Sequence, residues 1–154
     1  MFPPILGTDV KMTIDEFEAA IIDGPRVDCP VTNRFTPGMY IREIFMPAGS
    51  FVTSMEHKTE HPFVISKGKV MVTSENEGQV IYEAPHLGIT APGTRRALYI
   101  IEDTVWTTFH VTDETDVEKI GLEILAPHNN ILIEPNHPSL NAWNGGKQPT
   151  NLIE

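Results

Sequence analysis

Two histidines, His57 and His61, flank the tripeptide Lys58-Thr59-Glu60 near the middle of the chain. A neutral imidazole offers a nitrogen lone pair to Zn, Fe, Mn, Ni or Cu, so two imidazoles held side by side make half of a metal site. If Lys58-Thr59-Glu60 is a short loop, His57 closes one strand and His61 opens the next. Matching orientation then sends both rings into the same interior. Two ligands rarely hold an ion tightly, and a third must come from elsewhere. The same pair also reads as polar strand ends hydrogen-bonded to Glu56, Glu60 or backbone. Glu60 becomes a base or ligand only if its loop folds inward; otherwise it is a solvated carboxylate. Cys29 is the sole cysteine, which excludes an intrachain disulfide and a thiolate cluster. With Asp23 and Asp28 nearby it reads as inert rather than as a nucleophile.

The elements that must position these histidines are strands. Between residues 39 and 112 short runs rich in Val, Ile, Thr, Phe and Tyr alternate with turn chemistry. The strands expected are 39–46, 51–57, 61–66, 69–74, 79–84, 87–91, 95–101 and 104–112. They are separated by Pro47-Ala48-Gly49-Ser50, Lys67-Gly68, Glu75-Asn76-Glu77-Gly78, Ala91-Pro92-Gly93 and Glu102-Asp103. No helical stretch interrupts them, so a parallel sheet with crossover helices is excluded and an antiparallel barrel or jelly roll is implied. Before the strands, Thr13 and Glu16 form a capping box opening an amphipathic helix over 12–23. Residues 24–38, with Pro25, Pro30 and Pro37, read as a loop. After the strands, Thr115 and Glu118 form a second capping box opening a helix near 116–124. The segment from Pro127 to Glu154 reads as an extended arm lying on the barrel or on a neighbouring subunit.

The run from Gly49 to Gly68 resembles the first motif of the cupin superfamily, a glycine, two histidines one residue apart, and a glutamate ahead of a second glycine. Gly49 and Gly68 stand at the glycines and His57 at the second histidine. Met55 replaces the first histidine and His61 replaces the glutamate. The second motif, a glycine, a Pro-x-Gly-like turn and a histidine, is matched by Gly88, Pro92-Gly93 and then Arg96 in place of the histidine. The resemblance covers residues 39–112, about half the chain. The runs 57–63, 93–96 and 104–110 look like those of small cupins encoded in phage and prophage genomes. The resemblance implies an all-β chain: one cupin-type antiparallel β-barrel (double-stranded β-helix or jelly roll) with short flanking helices. Residues 1–38 and 113–154 would be arms around a core at 39–112.

The departures change the chemistry. Arg96 is a permanent cation and cannot ligate a metal; it could grip an anionic ligand through its fork, or form a salt bridge to Glu102 or Asp103. The usual three-His-one-Glu set is therefore replaced by a rearranged one: His57, His61 and His110, with water completing the shell of a Zn, Mn, Fe or Ni ion. Whether His110 reaches the cavity depends on the turn at Glu102-Asp103. A three-residue loop makes it face as Arg96 does, and a two-residue turn pairs it with Arg95. The alternative for His110 is packing by Trp106 or Phe109. His86, His128 and His137 have no partner at metal spacing. Met55, Phe63 and Ile65 read as barrel lining, and Tyr40, Tyr82 and Tyr99 are candidate acids only if they face inward.

Acids outnumber bases 21 to 11, for a formal charge of −10. Such a field repels nucleic-acid phosphates and anionic membranes. No phosphate loop, nucleophile elbow or paired-Cys motif occurs. The first residues lack a signal-peptide pattern and no apolar run approaches the ~20 residues of a membrane helix. The expected partners are a small-molecule ligand and further copies of the chain, as a homodimer or higher homo-oligomer, in the cytoplasm. Two functions remain open: a cupin holding one divalent metal with a small carboxylated or sugar-like ligand, or a metal-free ligand-binding or phage accessory barrel.

Overall fold

A computed structural model describes Glu16, residues 27–74 and residues 77–126. Its elements are β1 (Val31–Thr36), β2 (Met39–Met46), β3 (Phe51–Thr53), β4 (His61–Ser74), β5 (Gly78–Glu83), β6 (His86–Thr90), β7 (Arg96–Val111) and α1 (Val117–Ile124). All strand pairs are antiparallel. The expected helix at 12–23 lies outside the described residues except for Glu16, which is helical and exposed. The arm at 127–154 lies outside them altogether.

Two long strands, β4 and β7, build the barrel by belonging to both of its walls. The first half of β4 and the second half of β7 pair through Phe63↔Thr108 and Ile65↔Trp106, with β2 and then β1 beyond β7 and β6 beyond β4. The other halves pair through Val70↔Ile100 and Ser74↔Arg96, flanked by β3 and β5. The two walls face each other across a shared core that includes Ile44, Met46, Val52, Ile65, Val72, Leu98, Ile100 and Trp106. This is the jelly-roll arrangement that the strand pattern implied.

Three expectations are corrected. Lys67-Gly68 and Glu102-Asp103 are not hairpin turns: each lies inside one continuous strand, at the place where it bends from wall to wall. The register between β4 and β7 shifts repeatedly from Ile65 to Val70. Gly68 sits there at φ +101°, where a Cβ would come within 2.3 Å of the Asp103 carbonyl oxygen. Only glycine lets the two backbones cross so closely. Residues 31–36, expected as loop, form the edge strand β1, so the sheet begins before residue 39. The strand expected at 51–57 ends at Thr53.

The helix α1 closes one end of the barrel, packing Ile120 and Ile124 on Tyr40. Its N-cap is Asp116, whose carboxylate accepts from the Glu118 amide at 3.0 Å. Thr115, expected in that role, is displaced: the Glu114 carboxylate accepts from the Thr115 and Asp116 amides. An aspartate satisfies the unpaired amides of a first turn as well as a threonine does.

Gly88 offers a test of the core. A Cβ there would lie 2.5 Å from two carbons of the Phe63 ring, and Phe63 is 1% exposed and has no room to withdraw. Gly88→Ala is expected to cost about 1–3 kcal/mol through overpacking, read as a lowered urea midpoint. An unchanged midpoint would mean that the ring gives way.

Candidate metal centre

Alternation along the strands decides which side chains enter the barrel. On β2 the buried set is Tyr40, Arg42, Ile44 and Met46; on the second half of β7 it is Thr104, Trp106, Thr108 and His110. On β4, His61, Phe63 and Ile65 face in. His57 lies outside the strands and is held by its backbone. It forms an isolated antiparallel bridge with Leu125 just after α1, and its carbonyl accepts from the Gly93 amide at 2.9 Å. The neighbouring Lys58 amide and ammonium donate to the Ile124 and Leu122 carbonyls, two of the acceptors that a helix end leaves unpaired. The helix thus clasps the segment that presents His57.

The three histidines meet. Their ring centroids are 4.6 Å apart for His57–His61, 4.6 Å for His61–His110 and 5.3 Å for His57–His110. One ligand nitrogen from each lies within 4.8 Å of the others, and all three side chains are buried. Hydrogen bonds assign the lone pairs. Nδ1 of His57 is 3.2 Å from the Met55 carbonyl and Nδ1 of His61 is 3.3 Å from the Thr59 carbonyl. A carbonyl only accepts, so both Nδ1 atoms carry the proton and Nε2 carries the lone pair in each ring. His110 is turned the other way: Nε2 is 2.9 Å from Thr108 Oγ1, while Nδ1 is buried with no hydrogen-bond partner. Burial, then the fields of His61, His57 and Arg42, push the His110 pKa down to about 2. It is neutral at physiological pH, the form that ligates a metal. A buried nitrogen left without a donor is costly in a protein interior, and a cation bound at His110 Nδ1 would remove that cost. The residues fit a metal ion.

His110 arrives by a different route from the one considered. No turn at Glu102-Asp103 folds it back on Arg96; the two stand at opposite ends of β7, both facing inward. His110 pairs with Tyr40 and stacks on its ring at 5.7 Å. Packing by Trp106 or Phe109 is replaced by that contact.

Beside the histidines a cavity of about 450 Å³, its open mouth included, is lined by Ile44, Met46, Ser54, Met55, His57, His61, Thr90, Thr94, Arg96, Leu98, Trp106 and Thr108. The residues standing at the four ligand positions of the motifs, Met55, His57, His61 and Arg96, therefore converge on one space between two β-walls. The architecture is a cupin-type barrel. No protein-family model and no curated protein matches the chain. Among solved structures, it is similar to a cupin superfamily protein from Desulfitobacterium hafniense DCB-2, with 9% identity, 70% of this chain and 95% of that chain covered, and a TM-score of 0.48. It is also similar to an RmlC-like cupin family protein with a double-stranded β-helix fold from Methanocaldococcus jannaschii, with 15% identity, 55% and 81% covered, and a TM-score of 0.47. A cupin domain from Bordetella pertussis Tohama I shares 14% identity over 57% of this chain and 97% of that one, with a TM-score of 0.46. These likenesses concern the barrel's fold.

Within the cupin barrel, Arg96 is 7% exposed. Its Nη1 donates to Thr90 Oγ1 at 3.0 Å, and its guanidinium lies over the rings of Phe63 and Trp106 at 5.1 and 5.9 Å. Glu102 and Asp103, considered as its salt-bridge partners, stand further along the same strand, roughly 20 Å away at the usual strand rise. Glu60 is exposed on its loop, Cys29 is packed in the core, and His86 stacks on Tyr82 at 4.2 Å. Tyr40 points inward and hydrogen-bonds Asn33. Burial and the Glu77 carboxylate raise the pKa of Tyr82, which suits a donor held protonated. His128 and His137 lie outside the described residues. Among those, no helix is long and apolar enough to cross a membrane.

Sequence reasoning missed Arg42, which is 2% exposed inside the barrel. The signal was present: period-2 alternation puts it on one face with Tyr40, Ile44 and Met46.

Proposed function

We propose that this barrel binds one divalent transition-metal ion on His57, His61 and His110 and takes a small molecule into the adjoining cavity. The observation that carries the reading is the buried, hydrogen-bond-free Nδ1 of His110 beside two imidazoles whose protons are fixed on the far side of each ring. A set of imidazoles without carboxylate suits Zn, Fe or Ni better than Mn, Mg or Ca. When bound, such an ion supplies Lewis-acid polarisation to a ligand in the cavity. The chain's own residues do the rest: Arg96 offers a charged fork, Thr90 fixes its angle, and Met55 and Trp106 keep water from the wall.

Protein prepared without an affinity tag and reloaded with Zn, Mn, Ni or Fe should retain about one ion per chain. The His57→Ala/His61→Ala double variant should retain almost none. Equal, near-zero metal in both would end the proposal. A second reading, a metal-free anion-binding module, is favoured by the buried guanidiniums Arg42 and Arg96 near the histidines, and that same null result would leave it standing.

A further inference from the structure

Of the three histidines, His61 and His110 stand on β4 and β7, strands that are paired on both sides. His57 does not; its segment is tied to the end of α1. The Lys58 amide donates to the Ile124 carbonyl at 2.7 Å, the Ala126 amide donates to the Glu56 carbonyl at 2.9 Å, and His57 bridges Leu125 between them. The same helix backs a second donor. Ile120 and Ile124 pack on Tyr40, whose ring stacks on His110 at 5.7 Å. One element of eight residues thus supports two of the three metal donors.

That element does not stand by itself. Eight residues fall short of the roughly 12–15 that an isolated helix needs in water, and Gly121 within it lowers its propensity further. It is a helix because Ile120 and Ile124 are buried against the barrel. Its last turn carries Glu123 and no basic residue. The cation that favours a helix C-terminus comes instead from Lys58, whose ammonium donates to the Leu122 carbonyl at 3.2 Å. Helix and histidine segment hold each other. Short elements of this kind open locally while the core stays folded.

We propose that α1 is a latch on the metal centre, with Lys58 as its positioning residue. Docked, the helix holds His57 and, through Tyr40, His110 where both can ligate. Undocked, it melts and frees the His57 segment, and the ion is left on a weaker site. The latch rests on the metal reading. By linkage, the ion must hold the latch shut by the same factor with which the latch holds the ion.

Amide exchange, resolved by NMR, is followed in chelator and with saturating zinc. In chelator, the amides of Lys58, Leu125 and Ala126 should exchange at a common rate. Zinc should slow all three by about 5–150-fold, the usual range of such coupling. The amides of β5, which pairs with the half of β4 remote from His61, should keep their rates. Ile120→Asn places an amide where an apolar anchor was and removes no donor. A buried polar group without a partner undocks the helix, and zinc affinity, measured by competition with a chromophoric chelator, should fall by the same factor. Lys58→Met keeps the stem and removes the ammonium. In chelator it should speed exchange at Leu125 and Ala126 by roughly 2–5-fold, the worth of a cation at a helix C-terminus, and high salt should erase the difference. A helix that merely completes the fold would show no such zinc or salt dependence. Equal slowing of β5 and α1 by zinc, or no slowing at either, would overturn the latch even if Ile120→Asn fails to fold. Zinc held as tightly by folded Ile120→Asn as by the wild type also defeats the latch and leaves the metal reading intact. A wild-type protein that retains no zinc removes the metal reading and the latch together.

Discussion

His110→Ala is expected to weaken zinc binding by more than about 100-fold while the barrel still folds. Losing a group that merely orients a ligand typically costs 10–100-fold, and His110 is one of only three donors that the described residues bring together. Its Nδ1 has no competing hydrogen bond to break before it can bind. The fold should survive because β7 is held by partners on both sides, β2 and β4, whatever occupies position 110. His110→Gln controls for the polar contact to Thr108. It can keep a hydrogen bond there but places no imidazole in the cluster, so its zinc affinity should fall with that of alanine. Unfolding midpoints recorded in chelator would establish that each variant is folded. Zinc affinity equal to wild type in folded His110→Ala would show that the ion does not use this residue.

Acid should destabilise the metal-free protein over an unusually wide window. The pKa of His110 is lowered from 6.5 to about 2, chiefly by burial and then by the neighbouring histidines and Arg42. Between those values the unfolded chain binds a proton at this site that the folded chain refuses. Stability therefore rises with pH, is fully present above about 6.5, and drains away as pH falls toward 2. One proton's difference corresponds to a slope on the order of 1 kcal/mol per pH unit. Urea unfolding at a series of pH values, in chelator, measures it. His110→Phe keeps an aromatic ring against Tyr40 and removes the titration, so its slope should be shallower by that amount. Identical slopes in the two proteins would place the acid sensitivity elsewhere.

Much of this site was legible in the chain, for reasons that differ by residue. The proximity of His57 and His61 followed from a bend too short to separate them. The β2 strand at 39–46 appears at the expected residues because its alternation is uninterrupted. His110 does stand beside the other two histidines, but not by way of the hairpin considered for it. Lys67-Gly68 and Glu102-Asp103 have the composition of turns, and a bend inside a long strand demands the same residues, since both require glycine freedom or exposed polar side chains. Sequence pattern alone does not separate a strand that reverses from one that changes walls. The edge strand β1 was hidden by Pro25, Pro30 and Pro37 around it in the sequence; such neighbours are tolerated at an edge, where one side of the strand pairs with no other strand among the described residues. Arg42 was overlooked because an arginine in a strand ordinarily points to water, although its parity with Tyr40 and Ile44 said otherwise.

The 16 residues of β7 run from Arg96 to Val111 as one strand that serves both walls. The guanidinium of Arg96 and the imidazole of His110 are therefore fittings on a single bent bracket, and any sliding of that strand along its own length would displace both together.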